Sequence, residues 1–135
     1  MMELTRKGEY AIRGIIYLAR LKPGSVALIS EIAESTGVPQ TFLAKILQSF
    51  AKIGLVNSFR GTGGGFVLGR PPAKITLLEV VEAVEGPIMP NRCMMDESGC
   101  EFSRTCLVHP VWREVQSKVV QILGSVTIEE LSKGE

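Results

Sequence analysis

The chain contains no apolar run near the ~18 residues that a membrane-spanning helix requires. Its opening stretch, MMELTRKGEYAIRG, has no continuous apolar segment ahead of a cleavage site. These two absences exclude a span and a secretory leader from the reading, and they predict a cytoplasmic protein with no membrane partner. Cysteine is equally scarce. The three cysteines, Cys93, Cys100 and Cys106, all fall in one stretch. In a reducing compartment an odd, clustered set of thiols is better suited to metal binding or redox sensing than to structural disulfides. Net charge is also nearly absent, at +1 over 135 residues.

That small net charge hides an asymmetry. Residues 1–75 carry ten Lys and Arg against four Asp and Glu, leaving +6, whereas residues 76–135 carry five against ten, leaving −5. A basic first part and an acidic remainder suggest a polyanion as partner for the first, and nucleic acid is the obvious one. With 45% hydrophobic residues the chain can bury a genuine core without metal or disulfide staples.

The apolar spacing predicts mostly helices. Leu4, Ala11, Ile12, Ile15, Ile16 and Ala19 recur near helical spacing until Lys22-Pro23-Gly24 ends the run. A short helix of about two turns is expected next, with Ser30 as its N-cap and Gly37 in the left-handed position after it. A second helix follows Val38-Pro39, with Phe42, Leu43, Ile46, Leu47, Phe50 and Ile53 on one face and Gln40, Thr41, Ala44, Lys45, Gln48 and Lys52 on the other. Two short helices across a tight turn, the second with a small, polar, basic outer face, are the arrangement that sets a recognition helix in the DNA major groove.

The next segment strengthens that reading. Residues 55–60 and 66–68 suit two strands, and the glycines between them suit a turn that can approach a sugar-phosphate backbone closely. A hairpin directly after the second helix occupies the place of the wing in a winged helix-turn-helix. Arg60 at its base can supply charge or reach a minor groove. A nucleotide-binding loop is the rival, but these glycines join two strands and lack the Lys-Ser/Thr and following helix of a P-loop.

Thr76 and Glu79 fit a capping box that opens a further helix, and Gly86-Pro87 closes it. Then comes the loop of Cys93, Cys100, Cys106 and His109, spaced Cys-x6-Cys-x5-Cys-x2-His. Soft ligands gathered this way suit an iron-sulfur cluster or zinc. Beyond it Val108, Trp112, Val115, Val119 and Ile122 recur at nearly heptad spacing, which predicts a long helix; its stripe would pack on the core in a monomer, and pairing of two copies is the favoured reading. The fold class is therefore mainly α: a winged helix-turn-helix with a small two-stranded β wing, over residues 1–75, followed by a loop at about 87–109 and dimerisation helices within residues 76–135.

Together these residues resemble the IscR/NsrR-type family of winged-helix regulators over nearly the whole length. The matching elements are Leu4-Thr5 with Gly8-Glu9-Tyr10-Ala11, then Gly54-Leu55-Val56, then the wing from Ser58 to Arg70, and Cys106-Leu107 with His109, Trp112 and Arg113. The resemblance implies a dimeric transcription regulator, read as a repressor and not an enzyme, whose cysteines hold an iron-sulfur cluster. By the same resemblance Cys93, Cys100 and Cys106 are the thiolate ligands and His109 is the fourth, which favours 2Fe-2S over 4Fe-4S. Pro110 would leave His109 at the end of the loop, free to turn toward the cysteines; a histidine that merely caps the helix is the alternative. Glu9 of the partner subunit is a second candidate, since related sensors place an acidic residue there; an ordinary surface glutamate is its competing reading.

For DNA, Gln40, Thr41, Lys45 and Gln48 are expected to contact bases or phosphates, together with Arg60, Gly61, Thr62, Gly63 and Gly64 of the wing. Ala44 stands where the prototype of the family carries a glutamate that helps choose its sites, so operator sequences do not transfer. Two other readings of the cysteines stay open: a structural zinc site without sensing, against which the long spacings count, and a thiol peroxidase-like enzyme using Cys106, for which no base-orienting partner can be named.

Overall fold

The computed structural model describes residues 4–62, 64–89 and 107–134. Cys93, Cys100, Cys106 and Gly63 lie outside the described residues. Among the described residues six helices and one hairpin follow in order: α1 (Arg6–Arg20), α2 (Ile29–Thr36), α3 (Gln40–Lys52), β1 (Val56–Phe59), β2 (Gly65–Leu68), α4 (Leu77–Glu85), α5 (His109–Ser125) and α6 (Ile128–Ser132), with a 3-10 turn at Pro72–Lys74 before α4.

Thr5 caps α1, its hydroxyl accepting from the Gly8 N–H at 3.2 Å. The buried face is Gly8, Ala11, Gly14, Ile15 and Leu18. Ile12, Ile16 and Ala19, expected to lie on the core stripe, are only half-buried. The reason is the glycines, which let neighbouring elements approach closely: a Cβ on Gly14 would sit 3.3 Å from Leu43 Cδ1 of α3.

The second helix begins earlier than Ser30 suggested. Leu28 is its N-cap, no side chain caps it, and Ser30 is the second helical residue. Its hydroxyl therefore has no role in starting the helix, which is held by packing of the buried Ile32. The end matches expectation: Gly37 is left-handed at φ 74°, and its N–H donates to the Ala33 carbonyl at 2.9 Å.

In α3, Leu43, Ile46, Leu47 and Phe50 are fully buried, as their spacing predicts. Phe42 and Ile53 depart from it, at 54% and 59% exposed. Ile53 is the C-cap, past the last helical turn, and Phe42 rests edge-on against Tyr10 of α1 with ring centroids 6.2 Å apart.

The hairpin pairs antiparallel from Val56 with Leu68 to Phe59 with Gly65. Ala27, before α2, adds an isolated bridge to Phe66 through two backbone hydrogen bonds of 2.9 and 2.8 Å, which ties the wing to the helix pair.

Thr76 caps α4 and accepts from the Glu79 N–H at 3.1 Å. Only half of the expected capping box forms, because the Glu79 carboxylate pairs with Arg70 instead of returning to the Thr76 backbone. The short α6 was not foreseen. Thr127 caps it, Ile128 is fully buried, and it packs on α1. Ile75, Val80 and Ile128 belong to the same apolar cluster as Ile15 and Phe50, so one core runs from α1 through to α6.

Candidate nucleic-acid interface

The turn from Gly37 to Pro39 sets α3 across α2. With Leu43, Ile46, Leu47 and Phe50 facing the core, the opposite side of α3 must face solvent. Gln40, Thr41, Lys45, Gln48 and Lys52 are all exposed there, and Ala44 is half-buried between them. No acidic residue occupies the first turn of α3. Its free N–H groups and the positive end of its dipole thus favour an anion such as a phosphate.

At the wing, Arg60, Gly61 and Thr62 are exposed. Gly61 has φ 88°, a conformation that side chains with a Cβ rarely adopt. Gly64 departs from expectation: it is buried, and its N–H donates to the Gly61 carbonyl at 2.9 Å. A Cβ there would run into the backbone carbonyls of Phe59 and Gly61. That glycine closes the turn, and its N–H is not available to a phosphate. Among the described residues the ion pairs are Arg70 with Glu79 and Lys133 with Glu129. Lys45, Lys52 and Arg60 thus carry charge without a carboxylate partner among the described residues, as suits a polyanion-binding surface.

Of the four expected cluster ligands, only His109 is described. It is the first residue of α5 rather than the end of a loop, and it is 8% exposed. Pro110 takes the next helical position, where a missing N–H leaves no carbonyl unpaired. The imidazole is engaged: its Nε2 accepts from Arg113 Nε at 3.2 Å. One turn further on, Gln116 Nε2 donates to the Ile88 carbonyl at 2.7 Å. The segments on either side of residues 90–106 are thus both held by the first turns of α5. Glu9 is exposed in the first turn of α1.

Neither Arg113 nor Gln116 was singled out from the sequence as a partner in this region. The four-residue spacing from His109 to Arg113 carried that signal, since side chains so separated meet on a helix. Among the described residues no group of His, Cys, Asp or Glu is arranged to hold a metal ion. The donor chemistry of His109 nevertheless fits, since imidazole nitrogen is a ligand that iron or zinc takes, although its Nε2 lone pair here accepts from Arg113.

Known proteins resemble the chain throughout its length. Residues 4–134 match the Rrf2 family, described as an iron-dependent transcriptional regulator. The chain is 35% identical over 134 residues to the HTH-type transcriptional regulator IscR of Xenorhabdus nematophila, covering 99% of this chain and 81% of that protein. It is 32% identical over 130 residues to the protein of the same name from Escherichia coli K12, covering 96% of this chain and 80% of that protein. Among solved structures, CymR, the global cysteine regulator of B. subtilis, superposes with a TM-score of 0.79 at 30% identity, covering 98% of this chain and 97% of CymR. T. potens IscR shares the fold, with a TM-score of 0.78 at 24% identity over 99% of this chain and 89% of that one. These relatives are regulators rather than enzymes, and the chain belongs to the Rrf2 family of transcriptional regulators.

Proposed function

We propose that this protein is a homodimeric, DNA-binding transcriptional repressor whose operator affinity is set by an iron-sulfur cluster. The observation that carries the DNA half is the pairing of an exposed polar face on α3 with an exposed, unpaired Arg60 on the adjacent wing. Gln40, Thr41, Lys45 and Gln48 are the candidates for the major groove, with Gln suited to adenine and Thr to several base edges. Arg60, Gly61 and Thr62, with Gly63, are the candidates for backbone or minor-groove contact.

Pairing of two copies is supported by α5. Of its residues only His109 is buried, while Val111, Ile122 and the N-cap Val108 stay exposed, Ile122 at 62%. A second copy of the same helix would cover these apolar side chains and space two recognition helices for a two-fold operator.

For the cluster, Cys93, Cys100 and Cys106 supply thiolates and His109 an imidazole, with Glu9 of the partner subunit as the competing fourth ligand. The set favours 2Fe-2S. When bound, such a cluster supplies iron that exchanges electrons or reacts with oxygen or nitric oxide. His109 and Gln116 connect both ends of the cysteine-bearing segment to the proposed dimer helix, so a change in ligation reaches the spacing of the recognition helices. It alters DNA affinity only so far as the two shapes differ in cluster affinity.

Anaerobic reconstitution with ferrous iron and sulfide, followed by visible absorption and Mössbauer spectra, tests the cluster; DNA titration of the loaded and metal-free forms tests the coupling. A coloured protein with different operator affinities in the two forms is expected. A colourless protein taking one zinc per chain would replace sensing with a structural zinc site.

A further inference from the structure

His109 is the only histidine of the chain, and its imidazole already has a partner that bears on metal binding. Arg113 Nε donates to His109 Nε2 at 3.2 Å across one turn of α5. A neutral imidazole has one nitrogen that carries a proton and one that carries an in-plane lone pair. Arginine offers only donors and keeps its charge. The bond to Arg113 therefore puts the lone pair on Nε2 and the proton on Nδ1.

Coordination through either nitrogen conflicts with that bond. If Nε2 ligates, the lone pair that accepts from Arg113 is taken. If Nδ1 ligates, the ring proton moves to Nε2 and meets the Arg113 N–H donor to donor. In both cases two claims fall on a single lone pair. The conflict does not depend on which nitrogen is used.

We propose, on the reading that His109 is the fourth cluster ligand, that Arg113 is a positioning residue that competes for His109. It holds the imidazole in the metal-free protein and must let go for ligation, so it weakens the hold on the fourth ligand and eases its release. The competition also has a structural consequence. Gln116 lies three residues beyond Arg113 and holds the Ile88 carbonyl at 2.7 Å. The exchange between Arg113 and ligation thus takes place beside the residue that holds the chain at Ile88, before the cysteines, on the helix proposed to join two copies.

Because the chain has one histidine, protein carrying 15N-labelled histidine gives a single imidazole to observe. In the metal-free wild type the ring should be the Nδ1-protonated tautomer, and Arg113→Met should shift it toward the mixture typical of free imidazole. After anaerobic reconstitution, loss of visible absorption to an iron chelator should be about tenfold slower in Arg113→Met than in wild type, the scale of a hydrogen bond to a charged donor. It should be faster in His109→Ala than in either. If His109→Ala hastens loss but Arg113→Met does not slow it, the competition is wrong while His109 remains a ligand. If His109→Ala leaves the rate unchanged, the ligand assignment fails and the competition with it. Arg113→Gln, which also lacks the guanidinium, carries the same two readouts should Arg113→Met not fold.

Discussion

Glu85, the last residue of α4, accepts hydrogen bonds from both the backbone N–H and the hydroxyl of Thr5, the N-cap of α1. Thr5 in turn accepts from Gly8. A carboxylate at this point also lies at the positive end of α1. Two helices far apart in sequence are thereby joined end to end, directly before the segment that leads to the cysteines.

Thr5→Ala should remove the cap and the hydroxyl's bond to Glu85, leaving only the backbone N–H to hold that carboxylate. A loss of about 1 kcal/mol is expected, seen in calorimetry as a melting temperature lower by roughly 2–5 °C for a domain of this size. A double-mutant cycle with Glu85→Ala should give less than the sum of the single effects, since both remove the bond between the Thr5 hydroxyl and the Glu85 carboxylate.

Gly14→Val places a branched side chain where a Cβ alone would be 3.3 Å from Leu43 Cδ1. Prising α1 from α3 should cost about 1–3 kcal/mol, measurable by urea denaturation. A variant as stable as the wild type would mean that the helix contact is looser than described.

Arg60→Ala should weaken binding to most DNA sequences alike and lower the salt slope of log K by about 1, one phosphate contact fewer. Titrations at several salt concentrations decide it. Unchanged affinity and slope would remove Arg60 from the interface.

Gln48→Ala should act differently, relaxing base preference at one position of each half-site at a cost of about 1–3 kcal/mol for the preferred base. Selection from random duplexes tests this, and recovery of the wild-type motif would exclude a base contact by Gln48.

Ile122→Lys puts a charge on the exposed apolar side of α5 without touching the core. Sedimentation equilibrium should show a shift from dimer to monomer with the helical circular dichroism kept. A dimer as tight as the wild type would place the interface elsewhere.

The fold was legible wherever a local rule was also the global one. Leu43, Ile46, Leu47 and Phe50 repeat at helical spacing and are all buried; Gly37 stops α2 in the left-handed conformation that glycine permits. The outer face of α3 followed from the same periodicity. Elsewhere neighbours distant in sequence took precedence. Glu79 matched a capping box, yet Arg70 offered its carboxylate an opposite charge. Gly64 matched an exposed turn, yet the hairpin took up its N–H. His109 matched the end of a loop, yet the helix took it in with Pro110 behind it.

By itself, then, the order of residues determined most of the secondary elements, the polar face of α3, the glycine turn and the gathering of the cysteines and His109 in one stretch, because each depends on side chains a few positions apart. Only the tertiary structure decided which polar groups meet: Thr5 with Glu85, Arg70 with Glu79, Gln116 with Ile88. The same holds for the burial of Ile128 against a core begun more than a hundred residues earlier. Those outcomes depend on how helices cross, and the crossing is set by the whole core packing at once.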